Sequence, residues 1–270
     1  MMNKFFLGLT VSIIIVAIFL AFFVKNPQEP QPVSIEIAPP VRVQQPTETP
    51  PPAPKFPVAE PIPQEQARKP LPTLDESDSS VEEEFNQLVT KPQQSDLLLF
   101  KTFIRNFVVI IDNMTSRILP QKYYFFQPPP GKFMVTVGAD ETIYLDPENY
   151  KRYNAFVDLV QSLDLDQLIR IYTYLYPLFQ EAYMELGYPD AYFNDRLIEV
   201  ITNLLQTPEV QQPVVLVQPT VYYKFADPDL EALGTGQKLL IRIGPQNAVV
   251  IKSRLQALKE KLTALDGNQR

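Results

Sequence analysis

The sequence predicts an α+β fold, mainly α with a small antiparallel β component, behind an N-terminal transmembrane helix and a disordered proline-rich linker. Three patterns support this prediction. Residues 5–24 are apolar and uncharged, proline recurs between residues 26 and 72, and apolar side chains then return at helical spacing. The chain is therefore divided into a transmembrane anchor, a proline-rich and acidic linker, and one mostly helical globular domain. Their predicted bounds are 1–25, 26–84 and 85–265.

The anchor prediction rests on the length of the apolar run at residues 5–24. At about 1.5 Å per residue, a helix of this length spans roughly 30 Å, the thickness of the hydrocarbon core of a bilayer. The run ends Phe22-Phe23-Val24-Lys25, without the small residues of a signal-peptide cleavage site. The short N-terminal head predicts an N-in orientation. We therefore expect a single-pass protein of the inner (cytoplasmic) membrane whose C-terminal domain lies in the periplasm of a Gram-negative cell.

The linker is rich in proline and contains no glycine between residues 26 and 72. Proline fixes φ and lacks an amide donor, so neither helix nor sheet is expected there. An extended, semi-rigid spacer that holds the domain away from the membrane is favoured over a spacer under little constraint.

Apolar spacing and capping residues predict the elements of the domain. Asp146 and Asp227 each precede a proline and mark strong helix starts, because Asp caps a helix and proline suits its first position. Pro177 is expected to kink or break the helix that contains it, and Gly187 to end that helix. The predicted ranges are a helix at 95–112, hairpin strands at 132–137 and 142–145, helices at 166–186 and 190–205, and one or two edge strands within 214–225.

The last helix repeats apolar residues at alternating spacings of four and three, at Ile251, Leu255, Leu258, Leu262 and Leu265. Such a narrow seam packs either on its own domain or against a second copy of the chain. Docking on the domain is favoured, and homo-oligomerisation through this helix is the alternative.

Composition excludes several chemistries. The chain has no cysteine, so it has no thiol nucleophile and no thiolate metal site. It also has no histidine, the commonest general base and metal ligand. No metal and no cofactor are therefore predicted, and an enzyme is disfavoured. The net charge of −7 and the lack of a basic stripe argue against nucleic acid as a partner.

Several stretches of the domain carry a resemblance to a known family. They are Arg105-Asn106-Phe107-Val108-Val109, Asn149-Tyr150-Lys151-Arg152-Tyr153, Tyr176-Pro177-Leu178-Phe179-Gln180, Leu186-Gly187-Tyr188-Pro189, Phe193-Asn194-Asp195-Arg196-Leu197 and Phe225-Ala226-Asp227-Pro228. Together they resemble the proteobacterial domain-of-unknown-function family 3014 over roughly residues 85–265. Members of that family similarly carry an N-terminal membrane segment and a proline-rich stretch, so the resemblance implies a Gram-negative envelope setting. It implies no activity and no catalytic residue.

The turn between the helices at 166–186 and 190–205 carries the main candidate site. Aromatic residues surround an Asn-Asp-Arg run at the start of the second helix, where an acidic residue is favourable and arginine can reach a carboxylate with two hydrogen bonds. Two interpretations stay open, a recognition surface and a salt-bridged clasp that fixes the helical hairpin, and the clasp is favoured. The candidate residues are Tyr188, Asp190, Tyr192, Asn194, Asp195 and Arg196.

Two carboxylate pairs lie one helical turn apart, Glu181 with Glu185 and Asp195 with Glu199. Paired carboxylates cleave glycosides in many enzymes, but such pairs are also common on solvated helix faces, and no histidine accompanies them. Gly234–Lys238 lacks the spacing of a phosphate-binding loop and is interpreted as loop glycines that open a helix.

The predicted function is that of a membrane-tethered envelope binding or scaffold module that presents a helical domain in the periplasm. Its expected partners are the lipid bilayer, through residues 5–24, and a periplasmic protein or a cell-wall component. The alternative is a carboxylate-dependent hydrolase that acts on an envelope glycan or peptide.

Overall fold

A computed structural model describes residues 52–58 and 70–265. The predicted transmembrane segment at 5–24 lies outside these residues. Among the helices in the two described ranges, none has the length and apolar character needed to cross a membrane.

The described residues form a mainly helical α+β domain with one small antiparallel sheet, in agreement with the predicted fold class. Short 3₁₀ helices at 74–76, 92–97 and 121–123 join the longer elements. The helices are α1 (Asp78–Asn86), α2 (Phe103–Asn113), α3 (Glu148–Lys151), α4 (Asn154–Ser162), α5 (Leu165–Glu185), α6 (Phe193–Leu205), α7 (Pro228–Ala232), α8 (Thr235–Arg242) and α9 (Pro245–Thr263). The strands are β1 (Val135–Val137), β2 (Ile143–Leu145), β3 (Val215–Val217) and β4 (Lys224–Phe225).

Helix α2 lies at the centre of the main core and packs against both α5 and α6. The ring of its fully buried Phe107 lies 5.3 Å from that of Phe179 in α5 and 6.2 Å from that of Phe193 in α6, measured between centroids. Aromatic pairs at these separations stabilise a core beyond their buried area. The position of α2 therefore fixes the two helices whose connecting turn carries the candidate site.

Helix α2 begins at Phe103, later than the predicted start at residue 95. The reason lies in the backbone of Thr102, whose φ of 53° belongs to the left-handed region. The side chain of Asp78 in α1 caps the helix, since its two carboxylate oxygens accept the amide hydrogens of Thr102 and Phe103 at 2.6 and 2.9 Å. This cap comes from a distant part of the chain, so local sequence spacing does not reveal it.

Helices α5 and α6 form the predicted helical hairpin. Helix α5 begins after Asp164, which caps it through two backbone amides, and it runs uninterrupted through Pro177, so the break considered at that proline does not occur. Gly187, with a φ of 113°, follows its C-terminus as predicted. The Gln180 side chain ties the turn together, because it donates to the carbonyl of Ala191 at 2.8 Å and accepts from the amide of Phe193 at 2.9 Å.

The four strands lie in the order β1-β2-β3-β4, and every neighbouring pair is antiparallel. The predicted hairpin of β1 and β2 is confirmed. Strand β3 differs from the prediction of an edge strand, because it pairs with β2 on one side and with β4 on the other. An edge strand was expected because Pro213 and Pro219 interrupt this region, and proline is rare in central strands. Both prolines lie just outside β3, where they remove no ladder hydrogen bond.

Helices α8 and α9 close the domain. Gly234 precedes α8 at a close backbone approach, where a Cβ atom would lie 2.8 Å from the carbonyl oxygen of Thr115. The glycines of Gly234–Lys238 thus open a helix, as predicted. In α9, the apolar seam packs into the domain's own core against α4 and α6. Its residues Ile251, Leu255, Leu258 and Leu262 are at most 1% exposed.

Residues N-terminal to position 85 also belong to this core. The predicted boundary between linker and domain, at 84/85, falls inside α1. Leu74, Val81 and Phe85 are buried in the main core, and Leu71 packs against it. The folded part therefore includes the acidic stretch that the sequence analysis placed in the linker.

Candidate functional site

The structure places all six candidate residues on the connection between α5 and α6 and on the first turn of α6. Tyr188 and Asp190 are exposed, whereas Asn194 is completely buried. Four of the six residues form two sets with different partners. Tyr188 and Arg196 contact the end of α2, and Asn194 and Asp195 contact residues 52–58.

The first set is a clasp centred on Asp112, the penultimate residue of α2. The Nε atom of Arg196 donates to the Asp112 carboxylate at 3.0 Å, and an Nη atom donates both to the Asp112 carbonyl oxygen and to the Thr115 hydroxyl. The side chains of Arg196 and Asp112 are 17% and 15% exposed, so this ion pair is largely removed from solvent. A second ion pair links Arg196 to Glu199, with 3.1 Å between Nη1 and Oε1.

Tyr188 belongs to the same clasp. Its hydroxyl donates to the other carboxylate oxygen of Asp112 at 3.2 Å, and its ring stacks on that of Tyr183 with 4.7 Å between centroids. The negative charge of Asp112 raises the pKa of the Tyr188 hydroxyl. Tyr188 and Arg196 therefore have the arrangement of the favoured clasp interpretation, which fixes the helical hairpin to α2.

The second set binds a piece of the proline-rich segment. The Asp195 carboxylate accepts the backbone amides of Lys55 and Phe56 at 2.9 and 2.8 Å, one on each oxygen. The side-chain amide of Asn194 donates to the carbonyl oxygen of Phe56 at 2.8 Å, and its own oxygen accepts the hydroxyl of the buried Tyr172 at 3.0 Å. Three hydrogen bonds thus attach residues 55–56 to the start of α6 through backbone atoms alone.

Residues 52–58 turn one side towards the domain. Pro54, Phe56 and Val58 are partly buried, whereas Lys55 and Pro57 between them are exposed. Both Phe56 and Val58 pack against the main hydrophobic core. The contact therefore combines backbone hydrogen bonds with apolar side chains, as in the recognition of short peptides by protein grooves.

A groove of about 740 Å³ adjoins this contact and continues along α6 as far as Gln206 and Lys259. The segment itself forms one side of it, through Pro52, Ala53, Lys55 and Phe56. The rest of the lining carries charged residues of both signs. Asp190, Asp195 and Glu199 are acidic, and Arg196 and Lys259 are basic.

The candidate carboxylates differ in their partners and exposure. Glu185 is bound by Arg105, whose Nε and Nη2 atoms lie 2.8 and 3.1 Å from its oxygens, and Arg105 also binds Asp75. The hydrogen bond from Arg105 lowers the pKa of Glu185, whereas a general acid needs a raised pKa. Glu181 is exposed. In the part of the chain that the structure describes, no three potential ligands among Asp, Glu, His and Cys lie close enough together to hold a metal ion.

Sequence analysis missed residues 52–58, which it assigned to the linker. One signal was present, because Phe56 is the only aromatic residue between positions 26 and 72. An aromatic side chain in a proline-rich polar stretch has no local core to join, so it marks a point where the stretch contacts something else.

The fold and the site together define an α+β domain that binds a short segment of chain beside a helical hairpin. The chain belongs to the family described as protein of unknown function (DUF3014), whose profile matches residues 103–259. The resemblance seen in the sequence is thus confirmed at the level of the family. No curated protein and no solved structure matches the chain.

Proposed function

We propose that this protein is a non-enzymatic binding or scaffold module of the bacterial envelope, and that the surface beside the α5–α6 turn is where it recognises a periplasmic partner protein. The observation that carries the proposal is the contact of Asn194 and Asp195 with the backbone of Lys55 and Phe56. These two side chains bind main-chain atoms of a segment far away in the sequence. A surface with this property is suited to bind other polypeptide segments.

The setting of this module is proposed from the sequence. Residues 5–24 anchor the chain in the inner membrane with the N-terminus inside, and the proline-rich residues that follow separate the anchor from the domain. An alkaline phosphatase fusion at the C-terminus tests the orientation. Phosphatase activity in intact cells is expected, and its absence from a stably expressed fusion would contradict a periplasmic domain.

The contacts of the carboxylates favour a binding module over a carboxylate-dependent hydrolase. Glu185 and Glu199 each form an ion pair with an arginine, and both oxygens of Asp195 accept backbone amides. Carboxylates engaged in this way are occupied as hydrogen-bond acceptors, which is typical of structural and binding contacts.

The binding function is tested by photo-crosslinking in cells. A photoreactive residue replaces the exposed Asp190 in the full-length chain, and captured proteins are identified by mass spectrometry. We expect one dominant envelope protein, whose capture is lost in Asp195→Ala and retained in Asp229→Ala. Asp229 is a matched control because it is an exposed aspartate in the first turn of another helix, α7.

Two results would contradict the proposal. One is the capture of nothing specific by a chain that is folded and exported. The other is capture that is equally strong in wild type and in Asp195→Ala.

A further inference from the structure

We infer that the groove beside the α5–α6 turn binds a short proline-containing peptide segment of the partner protein, and that residues 52–58 occupy its main contacts in cis and compete with that segment. This inference rests on the proposed binding function. It adds the chemical class of the ligand and an intramolecular competitor that controls access.

The ligand class follows from the positions of the prolines in the bound segment. Pro54 and Pro57 have no amide hydrogen, so the amides of Lys55 and Phe56 are the only two between them. Both of these amides bind the Asp195 carboxylate. Prolines on either side also keep such a segment out of helices and sheets, which leaves its two amides available. The site therefore selects a pair of free backbone amides flanked by prolines.

Side chains add one further requirement, at the second residue of the pair. Phe56 packs against the main core, so this residue is apolar or aromatic. The first residue is less constrained, because the side chain of Lys55 is exposed. The structure thus points to the pattern proline, any residue with an amide hydrogen, aromatic or apolar residue, proline.

The buried Asn194 indicates that the domain has a preformed binding site for a backbone carbonyl group. Its side chain is fully buried, its oxygen is occupied by Tyr172, and its amide group donates to the Phe56 carbonyl. A buried amide without an acceptor is unfavourable, so the site requires a carbonyl oxygen at this position. When residues 52–58 leave, a partner segment supplies that oxygen.

The cis segment is small enough to be displaced. It is attached by three hydrogen bonds and a few partly buried side chains, and the groove continues beyond it towards Gln206 and Lys259. A longer partner segment gains contacts along that part of α6. Because residues 52–58 and the domain belong to the same chain, their contact is intramolecular and is favoured by a high effective concentration. A short segment in trans must therefore compete against this local concentration.

The test measures the binding of a fluorescent peptide with the sequence of residues 52–58 to the full-length chain by fluorescence anisotropy. Wild type is compared with Phe56→Ala, which weakens the cis segment. We expect Phe56→Ala to bind the peptide about tenfold more tightly than wild type, because a weaker competitor occupies the site. Lys55→Ala is the matched control, since it changes an exposed side chain of the same segment and keeps the backbone amide. Its affinity is expected to equal that of wild type.

A second pair of variants ties binding to the groove. In the Phe56→Ala background, Asp195→Ala is expected to abolish peptide binding, and Asp229→Ala to leave it unchanged. Urea unfolding of each variant confirms that it is folded. Equal affinities for wild type and Phe56→Ala would overturn the cis competition, and binding that survives Asp195→Ala would overturn the site. If no folded variant binds the peptide, the ligand class is overturned.

These results are separate from those of the crosslinking experiment. Asp195-dependent capture of an envelope protein in cells, together with no binding of the peptide, would leave the binding function standing and remove the inference about its ligand. Peptide binding in solution without any capture in cells would leave the ligand class standing and would contradict the proposed function.

Discussion

Asp195 and Arg196 are neighbours in the first turn of α6, yet they contact different parts of the molecule. Arg196 points to the end of α2, where it joins Asp112 in a largely buried ion pair. Asp195 holds the backbone of Lys55 and Phe56. With 3.6 residues per helical turn, adjacent side chains point about 100° apart, so one turn of helix can serve two surfaces.

Arg196 and Asp195 therefore have different roles in the domain. The Arg196 contacts join two helices of the main core, so they contribute to the stability of the domain. The Asp195 contacts join the domain to a segment outside that core, so they contribute to recognition. Two adjacent residues of one sequence motif thus belong to a clasp and to a binding site. Substitutions of Asp195 and of Arg196 should therefore have different effects on stability and on binding.

The largest expected effect on stability is that of Arg196→Ala. The substitution leaves Asp112 without its ion-pair partner in a largely buried position, and breaking such a pair costs about 3 kcal/mol. Urea unfolding of the full-length chain measures this loss. The control is Arg117→Ala, at an exposed position, which should change the free energy of unfolding by less than about 0.5 kcal/mol. Similar values for the two variants would show that the clasp does not stabilise the domain.

Asn194→Ala should have an intermediate effect, because Asn194 serves both surfaces. It leaves the hydroxyl of the buried Tyr172 without its acceptor, at a cost of about 1–3 kcal/mol, and it removes one hydrogen bond from Phe56. In the double variant with Tyr172→Phe, both partners are absent. The loss of stability should then be smaller than the sum of the two single losses. Strict additivity in urea unfolding would contradict a coupled pair.

Asp195→Ala should cost less than about 1 kcal/mol of stability, since it releases a peripheral segment and loses the favourable position of an acidic residue near a helix N-terminus. The exposed control Asp229→Ala loses the same interaction in α7 and should show a similar change. If Asp195→Ala destabilises the domain as strongly as Arg196→Ala, the assignment of Asp195 to recognition is wrong.

The smallest expected effect is that of Glu185→Gln, at an ion pair on the solvent-exposed side of the same hairpin. Arg105 lowers the pKa of Glu185 in the folded chain, so the pair stabilises the fold above the ordinary pKa of glutamate. This contribution disappears as the pH falls through the lowered pKa. Glu185 is 47% exposed, so solvent screening limits the difference from wild type to a few tenths of a kcal/mol at neutral pH.

Unfolding curves of wild type and Glu185→Gln between pH 7 and pH 2 test the direction of this pH dependence. The two stabilities should converge at acidic pH. A difference that grows with acidity would contradict the lowered pKa.

Features determined by neighbouring residues were predicted correctly from the sequence. The end of α5 at Gly187 and the start of α7 after Asp227 depend on backbone preferences and caps within a few residues. The hairpin of β1 and β2 depends on alternation and a short turn. These signals are local, so a single sequence contains them.

Features determined by distant residues were not predicted. The start of α2 depends on Asp78, and the partner of Arg196 is Asp112, which is 84 positions away. The clustering of the candidate site residues followed from their closeness in sequence, but their division between a clasp and a binding surface did not. The partners of Asn194 and Asp195 lie about 140 positions away, in a stretch whose prolines predict only a linker.

The most direct test of the role of Asp195 in holding the proline-rich segment is amide hydrogen exchange of residues 52–58 in the full-length chain. The amides of Lys55 and Phe56 should exchange at least about tenfold more slowly than in the free peptide, and Asp195→Ala should remove this protection while Asp229→Ala keeps it. Unprotected amides in wild type, or protection that persists in Asp195→Ala, would show that Asp195 does not hold the segment.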